Sequence, residues 1–103
     1  MCGICGIVDL SGRGIDAEAL IKIRESLTHR GPDDAGLYVD EYVGLGHRRL
    51  SIIDVAGGAQ PIANEDETVW IAFNGEIYNF LSLRQRLLEK RHRFRTESDT
   101  EVI

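Results

Sequence analysis

Met1-Cys2-Gly3-Ile4-Cys5-Gly6-Ile7-Val8-Asp9 opens the chain, and its reading decides both fold and chemistry. Gly3–Asp9 is a short apolar run, expected as a buried strand starting at the N-terminus. Cys2 and Cys5 form a C-x-x-C pair. A thioredoxin-like redox pair follows a strand and opens a helix, but only Met1 precedes Cys2. A zinc site needs a second close pair of Cys or His, and His29, His47 and His92 are scattered singly. The spacing therefore argues against metal and redox duty. Cys2 has another use. An initiator Met is removed when the next residue is small, which leaves a thiol and a free α-amine on one residue. Such groups have reference pKa values of about 8.5 and about 7.7–8.0. They match closely enough for the amine to act as general base toward the thiol, as in N-terminal threonine nucleophiles. The plainer alternative is a cysteine that serves as a small buried residue.

Outward from this stretch, Ser11-Gly12-Arg13-Gly14 reads as a turn. Asp16 reads as a helix N-cap, with Ile15 and Leu20 placed for a hydrophobic staple. Leu20, Ile23 and Leu27 recur at helical spacing, so the pattern predicts an amphipathic helix over Asp16–Thr28, stopped by Gly31-Pro32. Gly36–Val39 and Tyr42–His47 read as strands joined by Asp40-Glu41, and Leu50–Ile53 extends the sheet or begins another strand. Ala56–Pro61 is loop and Asn64-Glu65-Asp66 a polar turn. Thr68–Phe73, rich in β-branched and aromatic residues, is a further strand. Asn74-Gly75 between apolar runs is a hairpin signal. Asn79 is a candidate cap for a second helix with Phe80, Leu83 and Leu87 on one face. Its basic face, Arg84, Arg86, Lys90 and Arg91, reads as solvated surface. Ser98-Asp99-Thr100-Glu101 is a capping box that announces a helix just before Ile103. One turn has little stability alone, so residues 1–103 are expected to be a domain truncated at its C-terminal end. Helices interleaved with hairpin-type strands give the α+β class.

The bulk properties exclude several classes. The chain has 103 residues, enough for one modest core, with 43% hydrophobic and 28% charged residues. Twelve basic against 17 acidic residues give a net charge of −5, the opposite of a nucleic-acid-binding face. No signal-peptide pattern opens the chain, and no apolar run approaches the roughly 20 residues that span a bilayer. A soluble, cytoplasmic protein is expected, with no membrane partner.

Several motifs now stand in register. Met1-Cys2-Gly3-Ile4 and Gly6 open the chain, and Arg30-Gly31-Pro32-Asp33 follows the first helix. Gly46-His47-Arg48-Arg49-Leu50-Ser51-Ile52-Ile53-Asp54 follows the hairpin. Gln60-Pro61, Phe73-Asn74-Gly75-Glu76-Ile77-Tyr78-Asn79 and Thr96-Glu97-Ser98-Asp99-Thr100-Glu101 complete the series. In this order and spacing, over the whole chain, the sequence resembles the glutaminase domain of glutamine-hydrolysing asparagine synthetases, a class II (N-terminal-nucleophile) glutamine amidotransferase.

The resemblance implies the N-terminal part of a four-layered α/β/β/α sandwich, with Cys2 as nucleophile toward glutamine. A tetrahedral oxyanion needs donors, and Asn74 and Gly75 can offer a side-chain amide and an unobstructed backbone N–H. A free amino acid also has two charged handles. The family places its carboxylate-holding arginine directly before Leu-Ser-Ile, which selects Arg49 as the bidentate grip. Asp99 would accept from the α-ammonium group. Leu50, Ser51 and Glu76 would line the glutamine pocket, with Ile52 and Ile53 as backbone walls. Arg48 is left as a surface ion pair and Arg30-Gly31-Pro32-Asp33 as loop architecture. No metal and no cofactor is expected in this segment. ATP and Mg²⁺ would serve a C-terminal synthetase domain, the partner that turns aspartate into asparagine with the released ammonia. A homodimer is a further expectation. Two alternatives stay open: a paralogous amidotransferase with a sugar or exopolysaccharide acceptor, and an inactive truncated fragment.

Overall fold

The computed structural model describes residues 1–51 and 58–103. The expectations for Ile52, Ile53 and the start of the 56–61 loop lie outside the described residues. In chain order the elements are β1 (Gly3–Val8), α1 (Ala17–Glu25), β2 (Asp34–Val39), β3 (Val43–Arg49), β4 (Ile62–Ala63), β5 (Trp70–Ile71), α2 (Phe80–Glu89) and a 3₁₀ helix, Asp99–Val102. β1, β3 and β2 form one antiparallel sheet in that order, and β4 pairs with β5 in a second. The α+β class holds. Asp40 makes the hairpin between β2 and β3. Its Oδ1 accepts from the N–H groups of Tyr42 and Val43, each at 2.8 Å. Those bonds, the Tyr42 one foremost, hold the Asp40 carboxyl below the usual range. The turn residues are therefore Glu41-Tyr42, one place beyond the predicted pair.

Glycines in the sheet decide how α1 docks. Gly44 and Gly46 of β3 and Gly3 of β1 share one face, because side chains alternate along strands. A Cβ at Gly44 would stand 2.6 Å from Leu20 Cδ2, and one at Gly3 would stand 2.8 Å from Leu27 Cβ. Arg24 packs over Gly46 between them. The contacting row is thus Leu20, Arg24 and Leu27. Ile23, expected in the core, is 43% exposed. A close backbone approach tilts the row toward position 24, whose aliphatic stem packs while its guanidinium reaches the Gly36 carbonyl at 3.4 Å. Leu20 is fully buried, a contribution of about 1.5–3 kcal/mol. Asp16 caps α1 as expected, accepting from Ala19 N–H at 3.1 Å. The α-helix ends earlier than predicted, and residues 26–31 continue as tight turns.

β1 is a strand, but not a buried one. It lies at a sheet edge, and Ile4 and Val8 are 49% and 64% exposed. A run apolar on both faces reads the same whether one face or two are covered. The opposite face of the large sheet meets the second sheet. Tyr38 of β2 stacks on Trp70 of β5 with ring centroids 4.3 Å apart, and Gly36 lies directly beneath the Gln60-Pro61 peptide. The predicted Thr68–Phe73 strand shrinks to two residues, because Asn64 and Asp66 side chains take the Thr68 and Val69 N–H groups into the turn. Its partner β4 carried no signal of its own. α2 ends on Arg91 in the left-handed region (φ 71°), with His92 N–H bonded to Leu87 O at 3.0 Å. This is a Schellman closure without the glycine that would announce it.

Two basic residues assigned to the surface are structural instead. Arg48 is 9% exposed, and its Nε donates to Gly31 O at 2.8 Å, with Nη2 reaching Pro32 O at 3.4 Å. Facing α1 rather than solvent, it holds the loop after the helix. Its ion pair with Glu25, at 3.5 Å, is the secondary contact. Arg84, assigned to the solvated face of α2, lies 4.5 Å over the Phe94 ring and donates to Thr96 O at 2.6 Å. It ties α2 to the segment that leads into the 3₁₀ helix.

Candidate functional site

The site is built on the C-terminal end of β3. Gly3 pairs with Arg48, so Cys2 lies beside the residues that leave the strand. The Leu50 N–H points at Cys2 Sγ at 3.4 Å. The loop after α1 closes on the same residues. Asp33 N–H donates to Arg49 O at 3.0 Å, and Ser51 N–H donates to Asp33 Oδ2 at 2.8 Å. Gly31 is buried so closely against the Arg48 backbone that no Cβ would fit. The architectural reading of Arg30-Gly31-Pro32-Asp33 matches this geometry. Arg49 alternates to the face opposite Arg48, the face of His47, and its guanidinium lies against Gly58. With Asp33, Asp34 and Ser51 it lines a cleft of about 310 Å³. A guanidinium fork is a group that can take a carboxylate bidentately.

Asn74, Gly75 and Glu76 are exposed on a strap between β5 and α2. Asn74-Gly75 is not a hairpin turn, for the chain runs on into α2 without pairing back. The left-handed glycines among the described residues are Gly12 and Gly14, not Gly75. Gly75 is needed for a different reason. The Phe73 ring lies over it, and a Cβ there would stand 2.6 Å from Phe73 Cζ. The strap is tied at both ends. Phe73 N–H donates to Gln60 Oε1 at 2.7 Å, and its carbonyl meets His47 Nε2 at 3.3 Å. Ile77 N–H donates to Asp99 Oδ2 at 2.7 Å. One oxygen of Asp99 is therefore engaged by the strap. Ser98 caps the 3₁₀ helix through Thr100 N–H at 3.3 Å. Glu101 does not reach back to Ser98 as a capping box requires. Its carboxylate takes the Arg95 and Thr96 N–H groups at 2.8 and 2.9 Å, because the preceding chain folds over the short helix.

The predicted residues thus gather in two groups joined by β3. Cys2, Arg49, Leu50 and Ser51 lie at the strand end. Asn74, Gly75, Glu76 and Asp99 lie on or beneath the strap. Gln60 and His47 sit inside the motifs quoted above and had been given no role. Cys5 belongs to neither group. It points into the α1 interface beside Gly46 and Arg24, and burial pushes its thiol up despite the Arg24 charge. A thiol so placed is a poor nucleophile. Among the described residues, no three His, Cys, Asp or Glu side chains converge as a metal site. No helix among them is long and apolar enough to cross a membrane.

His47 is 1% exposed, and burial pulls its pKa below 6.5, aided by the Arg49 charge and opposed by the Phe73 carbonyl and Asp34. The unfolded chain, titrating near 6.5, then binds more protons than the folded one between the two values. Stability owed to neutral His47 is complete above pH 6.5 and declines as pH falls from there toward the folded value. An NMR titration should place the His47 imidazole midpoint below 6.5. His47→Gln should flatten the loss of stability as pH falls from 6.5. A midpoint at or above the ordinary value would contradict the burial.

The structure is thus an α+β domain whose candidate site holds a thiol at a strand end, an arginine-lined cleft and a glycine-bearing strap. The chain belongs to the glutamine amidotransferase domain family, whose family model matches residues 1–103. Among curated relatives it is 52% identical to asparagine synthetase [glutamine-hydrolyzing] 1 of Bacillus subtilis, over 100% of this chain and 17% of that protein. It is 47% identical to asparagine synthetase [glutamine-hydrolyzing] 1 of Arabidopsis thaliana, over 97% of this chain and 18% of that protein. A putative asparagine synthetase of Methanocaldococcus jannaschii is 41% identical over the whole chain and 22% of its own length. The chain spans 17–22% of the length of these relatives.

Proposed function

We propose that residues 1–103 form part of the glutaminase unit of an asparagine synthetase, with Cys2 as its N-terminal nucleophile. After Met1 removal the Cys2 α-amine takes the thiol proton, and Sγ attacks the glutamine side-chain carbonyl. Asn74 and Gly75 donate to the oxyanion. The C–N bond breaks, the proton leaves with ammonia, and water hydrolyses the thioester to glutamate. Arg49 grips the α-carboxylate, Asp99 accepts from the α-ammonium group, and Leu50, Ser51 and Glu76 line the pocket. The observation that carries this reading is the Cys2 thiol held at 3.4 Å from the Leu50 N–H, next in sequence to Arg49 and its cleft. In this reading the domain completes the four-layered sandwich with further strands. A downstream synthetase domain uses ATP and Mg²⁺ to activate aspartate, and the whole protein works in the cytoplasm as a homodimer.

The test is covalent. A glutamine analogue with a diazoketone in place of the amide should alkylate Cys2 and spare Cys5, as read from peptide masses. The labelled peptide should begin at Cys2. Labelling of Cys5 instead, or of protein that retains Met1, would sink the proposal.

The two neighbouring arginines separate by readout. Arg49→Lys keeps charge but loses the planar fork, so the glutamine KM should rise about tenfold or more, the equivalent of about 1.4 kcal/mol. Arg48→Lys should leave KM near the parent value and lower the thermal midpoint, because the Gly31 and Pro32 carbonyls lose their forked donor. Exchanged outcomes would show that the roles belong to the opposite residues.

A further inference from the structure

We infer that His47 and Gln60 are positioning residues that fix the Asn74-Gly75 strap from both sides of Phe73. This rests on the donor role given above to Asn74 and Gly75. Phe73 is the residue immediately before those donors, and both of its backbone polar groups are taken by side chains. His47 Nε2 meets the carbonyl at 3.3 Å, and Gln60 Oε1 accepts from the N–H at 2.7 Å. A carbonyl only accepts, so the His47 proton lies on Nε2.

Each clamp is itself held. His47 is 1% exposed within the central strand of the large sheet. Gln60 Nε2 donates to Thr100 Oγ1 at 3.2 Å, and Thr100 is 3% exposed in the 3₁₀ helix that also carries Asp99. The strap is thereby fixed to the same strand that brings Leu50 to Cys2, and to the element whose Asp99 holds Ile77. Between these ties, Asn74, Gly75 and Glu76 face solvent with no regular ladder to fix them. Without the clamps the strap would keep its Ile77–Asp99 tie but lose the one beside the donors, and oxyanion donors act only when aimed within a few tenths of an ångström. The ring of Phe73, seated on Gly75, passes the position of the clamped peptide directly to the Gly75 backbone.

The test uses the full-length protein and two probes. Glutamate γ-semialdehyde adds the Cys2 thiol across its carbonyl. An S–C bond forms, the C–O π bond breaks and the oxygen takes the thiol proton, so the adduct carries its oxygen where the donors should point. Glutamate binds the same pocket without that adduct. His47→Leu and Gln60→Leu should each lower the kcat for glutamine hydrolysis on the order of 10- to 100-fold, the scale of misplaced catalytic groups. Aldehyde affinity should fall in parallel, while glutamine KM and glutamate affinity stay within about twofold. His47→Gln, which keeps an N–H donor at comparable reach, should recover most of both. This variant and Gln60→Leu keep the question open to measurement if His47→Leu does not fold. Parent-like kcat and aldehyde affinity in both leucine variants would overturn the inference. So would equal losses of aldehyde and glutamate affinity, since that pattern marks a general collapse of the pocket. A parent protein that neither hydrolyses glutamine nor forms the adduct would instead overturn the glutaminase reading, and the inference with it.

Discussion

Replacing Cys2 with alanine should eliminate glutamine hydrolysis, a loss on the order of 10⁴-fold or more, while ammonia-supported activity of the full-length protein persists. The thiol is the attacking atom in the proposed sequence, and alanine offers nothing in its place. Supplied ammonia bypasses the step. The control is Cys5→Ser. Cys5 lies in the α1 interface against Gly46 and Arg24, so its replacement should change stability modestly and leave turnover near the parent value. Steady-state glutamate release with and without ammonium chloride separates the outcomes. Equal abolition by both replacements would mean that the two sulfurs work together and would reopen a redox or metal role. Retained glutaminase activity in Cys2→Ala would remove the nucleophile assignment altogether.

Asn74→Ala should lower the kcat for glutamine about 10²–10³-fold with little change in KM, the pattern of a donor used only in the transition state. Asn74 is exposed on the strap, so its removal leaves no buried group unpaired and should not lower the thermal midpoint appreciably. Gly75→Ala should also slow turnover, for another reason. The new Cβ would stand 2.6 Å from the Phe73 ring, so the ring or the strap must move. Parallel kinetics and melting distinguish the two cases. A rise in glutamine KM with unchanged kcat in Asn74→Ala would show that this amide binds the ground state and is not an oxyanion donor.

The proposed chemistry could be put forward before the fold because it depends on residue type and order. Cys2 behind a lone Met1, Arg49 before Leu50-Ser51, and Asn74-Gly75 before Glu76 are local statements, and local statements survive without coordinates. Elements whose signals are also local were legible too. The Asp16 cap formed as read, and so did the β2–β3 hairpin, within one residue of its predicted turn.

The misreadings share one cause. Arg48 and Arg84 look like solvated cations in sequence, yet each is a donor for loop carbonyls that only tertiary packing brings near. Asn74-Gly75 carries the hairpin signal, but no strand follows to pair back, and the nearby ring fixes why glycine is there. Ile23 lost its core place to Arg24 because sheet glycines on β1 and β3 set the angle of α1.

The sequence by itself determined the family and the α+β class and nominated the nucleophile and the other candidate site residues, since periodicity, caps and motif spacing are properties of neighbours along the chain. Tertiary structure alone decided which face of β3 each arginine takes, that β1 is an edge, and that His47 and Gln60 clamp Phe73. Those bonds join residues 26 and 13 positions apart, and no local pattern encodes a pairing made by closing loops of that length.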